Sequence, residues 1–157
     1  MTQQLRPGET YWRAIEPYWE PLCASWDDGP EAFLNALKSV PENAQHLFAC
    51  HWCQSEVLNG GLFQFFYNST GILAPEACKG FAALATTELA SILADAISYF
   101  GVQYPRERAL RLEALPPWLR NRDSWDPFRT LDERFYAWME AIPHRWDLLA
   151  DAYAQAA

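Results

Sequence analysis

A chain of 157 residues, half hydrophobic and 15% aromatic, with eight Trp, seven Tyr and nine Phe, can bury a sizeable core in one domain and is not intrinsically disordered. Its net charge of −8 excludes phosphate neutralisation over most of the surface, so a basic protein is a better electrostatic match than nucleic acid. The same acidity also serves plain solubility.

The charge is unevenly spread. Residues 1–104 hold 11 acids and four bases, whereas residues 105–134 hold six acids and seven arginines, so any basic patch must lie in that second region. The most apolar stretch, Gly80 to Gly101, is interrupted by Thr86, Thr87, Glu88 and Asp95, which argues against a membrane span. The start, MTQQLRPGETYW, has no apolar run of signal-peptide type, and a cytoplasmic location is the expectation. Free thiols are then expected at Cys23, Cys50, Cys53 and Cys78.

The spacing of apolar residues is helical nearly throughout, and an all-α domain of about seven to nine helices is predicted. The first helix covers Thr10 to about Cys23, strained or broken at Pro17. The second begins at Pro30, where a first turn tolerates proline, with Ala32, Phe33, Leu34 and Leu37 on its apolar side. Pro41 opens a longer helix that ends at Asn59-Gly60-Gly61, where glycine suits a left-handed cap. Residues 1–40 read as a helical extension packed on a domain of residues 41–157.

LNGGLFQFFYNSTG, Leu58 to Gly71, follows. As a strand it would put Phe63, Phe65 and Tyr67 on one face; as a helix, which its surroundings favour, it clusters Leu62, Phe65, Phe66 and Ser69, places Gln64 and Asn68 four apart, and stops at Gly71. The rings bury a helix contact after the double glycine, and the amides are expected to satisfy free backbone groups of the neighbouring turn.

Two further helices are predicted over Pro75–Ala85 and Thr86–Phe100. The second carries a core stripe of Leu89, Ile92, Leu93, Ala96, Ile97 and Phe100 opposite Glu88, Ser91, Asp95 and Ser98. PRERALRLEAL is a short arginine-rich helix. With Arg120 and Arg122, its Arg106, Arg108 and Arg111 read as a face offset by nearby acids rather than a nucleic-acid patch. Trp118 and Trp125 lie in the loop that follows, either as interface anchors or as clamps of the loop to the body. TLDERFYAWMEAI opens with a capping box, Thr130 with Glu133, and turns Leu131, Phe135, Trp138, Met139 and Ile142 inward. The last helix, from about His144, packs through Trp146, Leu149, Ala150 and Tyr153, with Asp147 and Asp151 outward.

Candidate chemistry is sparse. His46, Cys50 and Cys53 recur at one side of a helix in HLFACHWC, the residue types of a zinc site, with Cys23 or Cys78 as a further ligand. The alternative is that the cysteines are small buried hydrophobes, and no metal is assigned. The CxxC falls mid-helix rather than at a helix N-terminus, which disfavours thiol redox chemistry. Gly60-Gly61 lacks the lysine of a P-loop and the spacing of a dinucleotide fingerprint, and no cofactor is expected.

Glu56, Asn59, Gly60, Gly61, Gln64, Phe65, Phe66, Tyr67 and Asn68, followed by Leu131, Asp132, Phe135 and Tyr136, resemble the pattern of the bacterial DNA-mimic protein family. The similarity spans about residues 41–153. The resemblance implies an all-helical, often dimeric, non-enzymatic domain that presents carboxylates in place of DNA phosphates and so occupies a DNA-binding protein. The motif block itself reads as structural. The acids most available for such a role are Asp27, Asp28, Glu31, Glu42, Glu76, Glu88 and Asp95. Three functional readings stand at this point: an acidic module that sequesters a basic DNA-binding protein, an immunity- or antitoxin-type inhibitor that acts by shape, and a metal- or thiol-dependent enzyme.

Overall fold

The computed structural model describes residues 5–117 and 125–156. Among them the fold is all-α, with eight helices and no strand: α1 (Glu9–Ala24), α2 (Pro30–Lys38), α3 (Glu42–Tyr67), α4 (Ala74–Ala83), α5 (Thr87–Ser98), α6 (Arg108–Ala114), α7 (Arg129–Glu140) and α8 (Arg145–Gln155). Short 3-10 turns cover Ser25–Asp28 and Ser69–Leu73. No helix among the described residues is long and apolar enough to cross a membrane.

α3 is the spine. It packs on α4 most extensively, and also on α1, α6, α7 and α8. The α3–α4 approach is close because Gly80 has no side chain: a Cβ there would sit 2.6 Å from Cys50 Sγ and 2.9 Å from the His46 carbonyl. Leu47, Phe48, Cys50, Cys53, Val57, Phe65 and Phe66 along α3 are buried to the last few per cent. They meet Phe81, Leu89, Ile92, Leu93 and Phe135 from the helices around it. The stripe expected on α5 is observed, with Glu88, Ser91, Asp95 and Ser98 exposed opposite it.

Several local expectations are corrected. α1 runs unbroken through Pro17 and Pro21. Both prolines lie on its exposed side, as does Arg13, so the missing N–H groups fall where water can serve the orphaned carbonyls. Ala32 and Ile142 are exposed rather than in the core. The capping box at Thr130 does not form. α7 starts at Arg129 with no side-chain cap, after Asp126 has taken the Phe128 N–H at 2.8 Å. Trp125 is 72% exposed and does not clamp its loop, while Trp118, Arg120 and Arg122 lie outside the described residues.

Asp151 is not outward. Its two oxygens accept the backbone N–H groups of Gly8 (2.8 Å) and Tyr11 (2.9 Å), so α8 caps the N-terminus of α1 from across the fold. Asp147 lies beside it: a Cβ at Gly8, whose φ is +92°, would sit 3.2 Å from Asp147 Oδ1. Along the α1–α3 seam, Trp19 stacks on Trp52 at 5.1 Å, and His51 lies edge-on to Trp19 at 5.2 Å. Asp151→Ala is expected to cost about 1–2 kcal/mol in denaturant unfolding, the range for a lost N-cap.

Candidate functional site

α3 is interrupted in the protein interior. Gly60 (φ −157°, ψ 24°) and Gly61 (φ 77°, ψ 175°) leave helical geometry, and the helix resumes at Leu62. This differs from the expected left-handed stop, because the ψ of Gly61 turns the chain back into a second helical half rather than out to a loop. A break of this kind strands carbonyls on one side and N–H groups on the other.

One turn of α7 serves both. Tyr136 donates its hydroxyl to the Val57 carbonyl at 2.9 Å, at the end of the first half. Asp132, four residues earlier and so on the same face, accepts the Leu62 N–H at 2.7 Å, at the start of the second half. The contact requires glycine at position 61, where the φ is positive and a Cβ would lie 2.6 Å from Asp132 Oδ2. Asp132 is only 7% exposed, and burial pushes its carboxyl up to about 6, against the lowering effect of the Leu62 N–H.

On the other side of the break, Glu56 is a buried acid with three donors. Gln64 Nε2 (2.6 Å) and Asn68 Nδ2 (2.9 Å) converge on one oxygen, and Thr70 Oγ1 (2.8 Å) takes the other. Asn59 Nδ2 donates to Gln64 Oε1 at 3.1 Å. The amides therefore serve a side-chain carboxylate, not the backbone groups expected of them. A carboxylate one helical half away binds them better because each N–H···O⁻ bond is charge-assisted. Gly60 belongs to the same construction, since a Cβ there would collide with Gln64 Oε1, which the network holds in place.

The arginine-rich segment closes the far end of α3. Arg111 is fully buried and donates to the carbonyls of Phe66 (2.9 Å), Asn68 (3.0 Å), Arg106 (2.7 Å) and Pro105 (3.2 Å). Arg108 Nε donates to the Tyr67 carbonyl at 2.7 Å. Among the described arginines of the expected face, only Arg106 is offset by an acid, forking onto Glu76 at 2.6 and 2.9 Å. Arg108 and Arg111 instead complement the negative end of a helix. The helix does not stop at Gly71 but at Tyr67. Gly71 lies within the 3-10 turn that follows, where a Cβ would sit 2.6 Å from the Phe65 carbonyl.

The remaining candidates are dispersed. Asp27, Asp28 and Glu31 are exposed at and after the first 3-10 turn, and Glu42 opens α3. Glu88 and Asp95 share the outer face of α5, with Arg134 3.8 Å from Asp95. Glu76 is partly buried and its charge is matched by Arg106. Glu16 and Glu20, exposed on α1 one turn apart, continue the run of Asp27, Asp28 and Glu31, and were not singled out from the sequence. The absence of any Lys, Arg or His from residues 14–37 was the available signal.

His46, Cys50 and Cys53 do not assemble a metal site: among the described residues no three His, Cys, Asp or Glu side chains are placed to hold an ion. His46 Nδ1 is 2.7 Å from the Tyr153 hydroxyl, and Cys50 Sγ donates to the Ala77 carbonyl at 3.4 Å. All four cysteines are free. Burial pushes the Cys50 and Cys53 thiols well up, the wrong direction for a nucleophile.

Two outcomes follow from the break. Glu56→Ala leaves buried donors without an acceptor and should cost about 3 kcal/mol or more in unfolding free energy. Asp132 holds its proton more tightly folded than unfolded, so its contribution favours folding at low pH and is lost as the pH rises from the ordinary aspartate range through about 6. Asp132→Asn keeps an acceptor for Leu62 but cannot ionise. Its unfolding free energy should lack that slope and, above pH about 6, exceed the parent's by up to about 3 kcal/mol.

Compared with curated proteins and with solved structures, the chain gives no match. A family model described as DMP19-like protein matches residues 38–157, which takes in the interrupted helix, the Glu56 network and the α7 turn that staples it. By that match, over most of its length, the chain belongs to the DMP19-like family.

Proposed function

We propose that this protein is a non-enzymatic, acidic binding module that occupies a basic DNA-binding protein by presenting carboxylates where DNA presents phosphates. The reading rests on family membership together with one surface feature. From residue 14 to residue 37 the chain carries five acids and no base, and all five, Glu16, Glu20, Asp27, Asp28 and Glu31, are exposed. None of the ion pairs found among the described residues involves them.

The spacing is physically apt. Glu16 and Glu20 are separated by about 6 Å along the axis of α1, close to every second phosphate of one DNA strand at about 3.4 Å per charge. A carboxylate run of this kind gains most from a partner whose own basic groups otherwise hold counterions. It lies before the family-matched region, so the first forty residues would carry the partner face while the matched domain positions it. Glu88 and Asp95 on α5 would form a second, smaller face.

A second reading has one observation behind it. Ile142 and Leu148 are half exposed beside Trp138, Leu149, Glu88 and Arg145, around a cleft of about 410 Å³. An inhibitor acting by shape, of the immunity or antitoxin kind, would use such a surface. Interior chemistry favours neither reading, since the thiols and buried carboxylates are engaged in the fold.

Capture from a lysate of the protein's own cells separates the two. A basic protein displaced by duplex DNA or by salt is the expected result. A variant with Glu16, Glu20 and Glu31 changed to Gln and Asp27 and Asp28 to Asn should bind it at least about tenfold more weakly and with a shallower salt dependence. A partner that ignores DNA, salt and these five changes, but is lost in Leu148→Asp, would overturn mimicry in favour of the shape-based inhibitor.

A further inference from the structure

The hydrogen bonds reaching Glu56 have a direction. Asn59 donates to Gln64 Oε1, and Gln64 Nε2 then donates to Glu56. A primary amide has one accepting end and one donating end, so the donor at Asn59 determines which end Gln64 turns towards Glu56. Asn59 itself is exposed and stands directly before Gly60, where α3 leaves helical geometry.

That position has a chemical consequence. An asparagine side chain cyclises when the next backbone nitrogen reaches its Cγ, and glycine obstructs the approach least because it has no Cβ. A helix interior resists the backbone rotation this needs. Here the next two residues are both glycine and have already left the helix, so the rotation does not have to propagate through a rigid turn. Asn35, Asn43, Asn68 and Asn121 precede Ala, Ala, Ser and Arg, none of them glycine.

We propose that Asn59 is a site of spontaneous deamidation, and that the product reverses the amide chain that reaches Glu56. The Gly60 nitrogen bonds to Asn59 Cγ. The Cγ–Nδ2 bond breaks, and that nitrogen departs as ammonia with the proton lost from Gly60. Solvent water then opens the ring at either carbonyl, giving aspartate or isoaspartate, with no change of oxidation state. Neither product has a side-chain N–H to offer Gln64. A carboxylate facing Gln64 Oε1 turns that amide over, its carbonyl then opposes Glu56, and the buried acid is left with Asn68 and Thr70 alone. The inference is independent of the partner-binding reading and fails or stands without it.

The full-length protein is incubated folded at mildly alkaline pH, sampled over time, and mapped by peptide mass spectrometry, with enzymatic methyl transfer marking isoaspartate. Conversion at Asn59 ahead of Asn35, Asn43 and Asn68 is the expected result. If the folded protein keeps Asn59 intact while the same chain in denaturant converts it, α3 protects the site and the proposal is overturned. The structural consequence is read separately. Asn59→Asp should lower Tm by roughly 3–8 °C, and by more than Asn59→Ala, which removes the donor without adding an opposing acceptor. A Tm equal to the parent's would overturn the reversal of the chain.

Discussion

A helix that breaks inside a protein leaves polar backbone groups with nowhere to go, and this fold is arranged around one such break. The orphaned groups are valuable only if they are met, since each buried donor or acceptor left alone costs a few kcal/mol. α7 meets them with two side chains a single turn apart, Tyr136 for Val57 and Asp132 for Leu62. The far end of the resumed helix is met by Arg108 and Arg111, and the turn beyond it by Tyr104, which donates to the Gly71 carbonyl at 2.6 Å. The broken spine therefore determines where the later elements must lie.

The same region buries two opposite charges without joining them in an ion pair. Glu56 is surrounded by donors and Arg111 by carbonyls, each in the orientation its charge requires. Asn68 links them: its amide donates to Glu56 while its carbonyl accepts from Arg111. Fixed dipoles of the right sign replace water around each charge, which is what makes burial of a lone ion tolerable. The exposed carboxylates of α1 and α2 contrast with Arg111, which is drawn inward to serve backbone.

Much of the fold was legible because apolar periodicity is a local property. The α5 stripe and the helix at Pro30 needed only their own residues to be read. The structure brings together Glu56, Asn59, Gln64 and Asn68 in one hydrogen-bonded group, and Asp132 and Tyr136 at the glycine break. Their partnerships were not legible. That Gln64 and Asn68 answer to Glu56 depends on the helix folding back across the glycines, and a helical wheel drawn through Gly60 cannot show it. Asp151 reads as a solvent-facing acid on its own helix and becomes a cap only once α1 lies against α8. Arg108 and Arg111 misled for the same reason: charge patterning pairs arginines with nearby acids, whereas their acceptors are carbonyls, those of Phe66, Tyr67 and Asn68 more than forty positions earlier.

The separation between Leu62 and Asp132 is 70 positions, and the two meet only through α7. A ribosome delivers the broken helix long before the residues that cap it. Until then the junction has unmet N–H groups beside two glycines, and the nascent segment has no reason to hold the bend. Contacts this distant in sequence form late and slowly, so the spine would acquire its shape only after α7 has been made. The growing chain must meanwhile carry its most aromatic stretch, Phe63 to Tyr67, without the packing that later covers it, and that interval is where a chaperone would matter most.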